Sequence, residues 1–187
     1  MHISKLTALF YILLIFNSLA QKNKSTSSES TEQYPVPATS TNQLFYIQRS
    51  SNINSIIYDA KIGIDKKLDP ENPVHTYWIL YTQGGGKKEL TGIQRSLAYG
   101  LLHTRPATGE SGTYDGYFFA YRRRKFVVTI NTKGEPIALL PINGKMQILK
   151  KVFVKVDEIG MMPSVISVEL WGRDVTTDKE VYEKFKP

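Results

Sequence analysis

The chain has 187 residues, 41% hydrophobic and 22% charged, with a formal net charge of +7. That composition excludes an intrinsically disordered protein and suits one folded domain with a basic, soluble surface. It contains no cysteine, which removes disulfide frameworks, thiolate metal sites, iron–sulfur clusters and cysteine nucleophiles together.

Residues 1–20 read as a signal peptide. Lys5 supplies the positive start, Leu6 to Phe16 an apolar run, and Ser18 and Ala20 small residues three and one positions before Gln21. The run is shorter than the roughly 20 residues of a spanning helix. No cysteine follows it, so a lipoprotein anchor is excluded. The expectation is an exported protein, periplasmic or extracellular, with no transmembrane span after cleavage. Residues 21–43 are rich in Ser, Thr, Lys and Glu around Tyr34-Pro35-Val36-Pro37, which predicts a disordered linker. Residues 44–187 then form a single β-rich domain.

Leu44 to Ile47 and Ile56 to Ile62 carry the aromatic and β-branched residues of strands. Asp65 to Pro73 is a polar loop. Val74 to Thr82 is a third strand, with Val74, Trp78 and Leu80 on one face and His75, Tyr77, Ile79 and Tyr81 on the other, so both faces need covering. Gly84-Gly85-Gly86 ends it. Thr91 and Gln94 form a capping-box pattern opening a short helix over 91–100, with Ile93 and Leu97 on one face and Gly100 as a left-handed C-terminal cap. His103 to Asp115 reads as a loop. Further strands follow at Tyr117–Tyr121, Phe126–Ile130 and Ile137–Leu140. Asn143-Gly144 marks a hairpin. A long strand then places Ile148, Val152, Val154 and Val156 on one face, and Ile166 to Leu170 forms the next strand. Asp178 to Phe185 reads as a short terminal helix. The fold class is mainly β: an antiparallel sandwich or open barrel of about eight strands with one short helix.

Taken together, Tyr58-Asp59-Ala60, Pro73 to Trp78, Leu90, Ile93-Gln94-Arg95, Ala98-Tyr99-Gly100, Ile142 to Lys145 and Glu169 to Gly172 resemble a family of exported bacterial proteins known only as a domain of unknown function. The resemblance runs from about Phe45 to Glu180. That family has no assigned activity, ligand or catalytic residue, so the resemblance implies bacterial export and one domain and carries over no role.

The residues support no catalytic constellation. There is no G-x-S-x-G elbow. His75 and His103 lack a metal-ligand spacing, and Asp65, Asp69 and Glu71 lack that of an EF-hand. Gly84-Gly85-Gly86-Lys87-Lys88 lacks the Walker pattern, so the glycines read as a turn. Arg122 to Lys125 beside aromatic residues resembles a single-strand nucleic-acid surface, but no matching motif accompanies it. The preferred reading is therefore a non-enzymatic, monomeric, exported domain, without cofactor or metal and not binding nucleic acid. It binds a small molecule, glycan or envelope protein through His75, Tyr77, Tyr81, Arg95 and Tyr99, because aromatic faces with polar tips suit amphipathic ligands. The alternative is a periplasmic enzyme acting on sugar or lipid, using His75 or His103 with a carboxylate such as Asp59 or Glu169.

Overall fold

The computed structural model describes residues 34–97, 99–106, 112–157 and 164–187. The export segment and the linker up to residue 33 lie outside these. Among the described residues the protein is mainly β: eleven strands join one curled sheet, a half-barrel, with a single short α-helix. The strands are β1 (Gln43–Arg49), β2 (Asn52–Ala60), β3 (Val74–Leu80), β4 (Gly86–Glu89), β5 (Leu101–Pro106), β6 (Tyr114–Phe118), β7 (Tyr121–Ile130), β8 (Pro136–Ile142), β9 (Lys145–Asp157), β10 (Ser164–Arg173) and β11 (Glu180–Phe185). The helix α1 (Gly92–Leu97) lies between β4 and β5.

Around the sheet the order is β4-β3-β2-β1-β9-β8-β7-β6-β5, with β10 on β9 and β11 on β10. The 13-residue β9 is the hub. β8 pairs with its start, Lys145 to Ile148, and β1 pairs with Lys151 to Val154. β10 overlaps both in register, from Ile148 to Asp157, so β8 and β1 lie end to end along the opposite edge of β9. The β1–β9 pairing is parallel and every other pairing is antiparallel.

The concave face holds the core. Phe45 stacks on Tyr58 at 4.4 Å between ring centroids, and Phe118 meets both edge-on at 5.7 and 6.1 Å. Phe126 packs against Phe118 at 5.4 Å. Trp78, Leu44, Val128, Ala138, Leu140, Ile142, Leu149 and Leu170 complete the cluster. Fully burying each large apolar side chain contributes about 1.5–3 kcal/mol, so this aromatic centre holds the curl.

Several expectations need correction. Asp178 to Phe185 is not a helix; Glu180–Phe185 is β11, paired with Val168 to Arg173. Val181, Tyr182 and Phe185 fit a pleated edge, and a window this short does not separate the two periods. Leu101–Pro106 is β5 and takes in His103 to Pro106, which read as the start of a loop. In β9 a register irregularity at Lys150 shifts the pleat by one residue, so Leu149 rather than Ile148 enters the core ahead of Val152 and Val154. Ile93 is exposed rather than packed on the sheet. Gly100 does not take a positive φ. Its glycine is required because an added Cβ would overlap the Arg95 carbonyl at the end of α1.

Other features match. Asn143 and Gly144 have φ of 51° and 77°, as a type I′ turn needs. The capping box forms: the Thr91 N–H donates to Gln94 Oε1 at 2.9 Å, and the Gln94 N–H to Thr91 Oγ1 at 3.3 Å. The glycine stretch is the β3–β4 hairpin, with Gly84 and Gly85 at φ of 80° and 79°.

Tyr34 and Pro35 lie against the convex face. Tyr34 packs edge-on to Phe153 at 5.0 Å, its hydroxyl donates to the Ser50 carbonyl at 2.9 Å, and buried Gln48 donates through Nε2 to the Pro35 carbonyl at 2.6 Å.

Candidate functional site

The outer face of β3 carries His75 and Tyr77, as the alternation requires. Because β4 pairs antiparallel with β3, Glu89 lies opposite Tyr77 and within reach of its diagonal neighbour, His75. His75 Nε2 and Glu89 Oε1 are 2.7 Å apart. The other Glu89 oxygen accepts from Arg95 Nη2 at 2.6 Å. The capping box that starts α1 therefore also sets where Arg95 stands, and Glu89 holds a histidine and an arginine side by side. All three groups are exposed, which makes the Arg95–Glu89 ion pair worth little for stability, of order 0–1 kcal/mol. Their consequence is positional.

Beside this trio a cleft of about 250 Å³ opens between the start of β3 and the start of β5, lined by Lys61, Asn72, Val74, His75, Thr76, Arg95, Gly100 and Leu101. Lys61 comes from the end of β2 and reaches Asp69 at 3.4 Å. Asp69 accepts the backbone N–H groups of Asn72 and Glu71, which hold its carboxyl below the usual carboxylate range, with Lys61 adding to the effect. The loop Asp69–Pro73 is thus shaped by its own aspartate, and it brings Asn72 to the rim. The wall offers ammonium, guanidinium, amide and imidazole groups and contains no carboxylate among the described residues. It is a donor-rich surface.

The five residues singled out from the sequence divide. His75 and Arg95 meet at the cleft. Tyr77 adjoins them but is buried: its hydroxyl donates to Asp59 Oδ2 at 2.9 Å, and Lys87 Nζ lies 4.6 Å over its ring. Burial first, and the Asp59 hydrogen bond second, push its ionisation far up. Tyr81 stands in the 3-10 turn Tyr81–Gln83 just past the far end of β3 and does not line the cleft. Tyr99 is on the concave side, edge-on to Trp78 at 5.1 Å, and its carbonyl accepts from the Tyr58 hydroxyl at 2.7 Å.

The carboxylates considered for His75 also separate. Asp59 belongs to Tyr77 and Ser40, and Glu169 to Lys184 and Tyr182 on β10 and β11. Glu89 takes the position instead. The side chain of His103 lies outside the described residues. Sequence reasoning missed Lys61, Asn72 and Glu89. Reading Gly84 to Gly86 as a tight hairpin and counting the cross-strand register would have placed Glu89 beside His75.

A half-barrel of one curled sheet, with a donor-lined cleft at its open seam, is the architecture these residues define. The chain belongs to the family described as a domain of unknown function, DUF4833, whose model matches residues 45–184. No curated protein and no solved structure matches it. Among the described residues no helix is long and apolar enough to cross a membrane.

Proposed function

We propose that this chain is an exported, non-enzymatic binding domain whose seam cleft takes a small ligand bearing a carboxylate or phosphate. The observation that carries the reading is the set of donors on the cleft wall: Lys61, Asn72, His75 and Arg95 line it, while Asp69 and Glu89, outside the lining, engage Lys61, His75 and Arg95 without using all of their N–H groups. An acceptor-rich anion satisfies such a wall, and a guanidinium bonds a carboxylate or phosphate in bidentate fashion. Glu89 engages one Arg95 nitrogen and leaves further N–H groups for a ligand. Export rests on residues 1–20, with their positive start, apolar run and small residues before Gln21. The enzyme reading would give His75 the Glu89 carboxylate, but both groups stand in solvent, without the water exclusion that strengthens acid–base chemistry.

Calorimetric titration with inorganic phosphate and with succinate tests the binding reading. At low ionic strength one site per chain is expected, with Lys61→Ala and Arg95→Ala each weakening it about tenfold, equivalent to about 1.4 kcal/mol. Unchanged affinity in both variants would refute the cleft as the site.

A further inference from the structure

The two walls of the cleft are strand edges to which nothing among the described residues is paired. On one side β4 covers β3 only from Tyr77 to Leu80, which leaves Val74 to Thr76 with an open edge. The direction of their backbone groups follows from one bond. The Pro73 carbonyl accepts from the Lys61 N–H at 2.9 Å, so it points toward β2. Successive residues of a strand alternate, so the N–H and C=O of His75 also point toward β2, and those of Val74 and Thr76 point into the cleft. The Leu80 carbonyl, accepting from the Gly85 N–H on the β4 side at 2.9 Å, has the parity this alternation requires.

The opposite wall obeys the same logic. The Gly100 carbonyl accepts from the Phe119 N–H on the β6 side at 3.0 Å. The N–H and C=O of Leu101 therefore turn away from β6, toward the cleft. Val74, Thr76 and Leu101 all line that cleft. Among the described residues no backbone bond joins the two edges.

We infer that the seam accepts an extended peptide segment as an added strand, and that the ligand's anion is the peptide's C-terminal carboxylate. This rests on the anion-binding reading of the cleft and specifies it. Unpaired N–H and C=O groups on a strand edge are a template for strand addition, the mode in which main-chain bonds supply affinity. The Lys61 ammonium and the Arg95 guanidinium at the rim complement a free carboxylate and disfavour a segment that continues past the cleft. A side chain pointing inward from the bound peptide would meet Val74 and Leu101, so small apolar residues fit and charged ones do not. Insertion also fills part of the gap that keeps the sheet a half-barrel, and so covers an edge that is otherwise an aggregation hazard.

The experiment uses the whole chain, labelled with nitrogen-15, and follows backbone amide resonances. Four probes are titrated: the tetrapeptide Val-Ala-Val-Ala as free acid, the same peptide as C-terminal amide, a backbone N-methylated free acid, and inorganic phosphate. The expected result is movement of the Val74, Thr76 and Leu101 amides with the free acid, about tenfold weaker binding of the amide, and loss of binding on N-methylation. If phosphate shifts the amides around His75 and Arg95 but the free-acid peptide binds no tighter than phosphate, strand addition is overturned and the anion reading stands. If the N-methylated or amidated peptide binds as well as the free acid, the inference fails in its main-chain or carboxylate half respectively. If no probe moves these resonances, both readings fall.

Discussion

Gly100 links the packing of a single residue to the composition of the cleft. Its Cβ-less backbone passes against the Arg95 carbonyl, and an added methyl has no space that a side-chain rotation could create, because the obstacle is main chain. Gly100→Ala must therefore push the end of α1 away from β5. The cost expected from such overpacking is about 1–3 kcal/mol. The displacement carries Arg95 with it, so phosphate affinity at the cleft should fall alongside stability. Urea denaturation and calorimetric titration of the same variant check the two effects, and a variant with native stability and native affinity would refute the packing argument. From sequence this glycine reads as a left-handed cap, because a glycine after a short helix usually serves that role. A close approach of two main-chain segments leaves no local pattern to read.

Among the elements, β3 was the most legible and β9 and β11 the least, for a physical reason. β3 buries Trp78 on the concave side and Tyr77 on the convex side, so its apolar residues run continuously and announce a central strand. In β9 the bulge at Lys150 changes the phase partway along, and an alternation read from one end assigns the wrong face at the other. β11 is a short edge strand that gains its identity from partners distant in sequence. Arg124 donates to both Glu183 oxygens, Nη1 to Oε2 at 2.8 Å and Nη2 to Oε1 at 2.5 Å, and also to the Pro141 carbonyl. The Asn143 N–H donates to Glu183, and Asn143 Nδ2 to the Tyr182 carbonyl. The Arg124 hydrogen bond, aided by the Asn143 N–H, holds the Glu183 carboxyl below its ordinary range. In the loop before β11, the backbone N–H groups of Thr177 and Thr176 pull Asp174 down to about 2. A carboxyl depressed in the folded state stabilises it above the unfolded value, near 4, and that stability is lost as pH falls through the folded value. Thermal stability should accordingly decline from about pH 4 toward pH 2. Glu183→Gln should lower the melting temperature at pH 7 and flatten this acid slope. Arg124→Ala should cost about 2 kcal/mol at neutral pH, since it strands a mostly buried carboxylate. Scanning calorimetry from pH 2 to 7 checks both, and an unaltered acid slope in Glu183→Gln would exclude this pair as its source.

At the scale of the whole molecule, the sequence shows strands and hairpins but not how the sheet closes. Local turns such as Asn143-Gly144 set neighbouring antiparallel pairs, whereas the parallel pairing of β1 with β9 joins residues about a hundred positions apart and leaves no local signal. The same limit hid the cleft, since Lys61, Asn72, Arg95 and Leu101 come together only when the hairpins curl around the aromatic core. The curl is secured unequally. At β11 it is tied by Glu183 and Asn143, while at the seam the edges of β3 and β5 face each other without a backbone bond among the described residues. Opening free energies should follow that asymmetry, because amides without a hydrogen bond exchange without the chain having to unfold. In the free chain, the Val74, Thr76 and Leu101 amides should exchange rapidly, although each adjoins the core. Those of Phe45, Tyr58 and Phe126, in the fully buried centre, should exchange only with global unfolding. Native-state hydrogen exchange read by nuclear magnetic resonance separates the two groups. Strong protection at Val74 and Thr76 without ligand would mean that the seam is already closed by some part of the chain, and strand addition there would have no open edge to use.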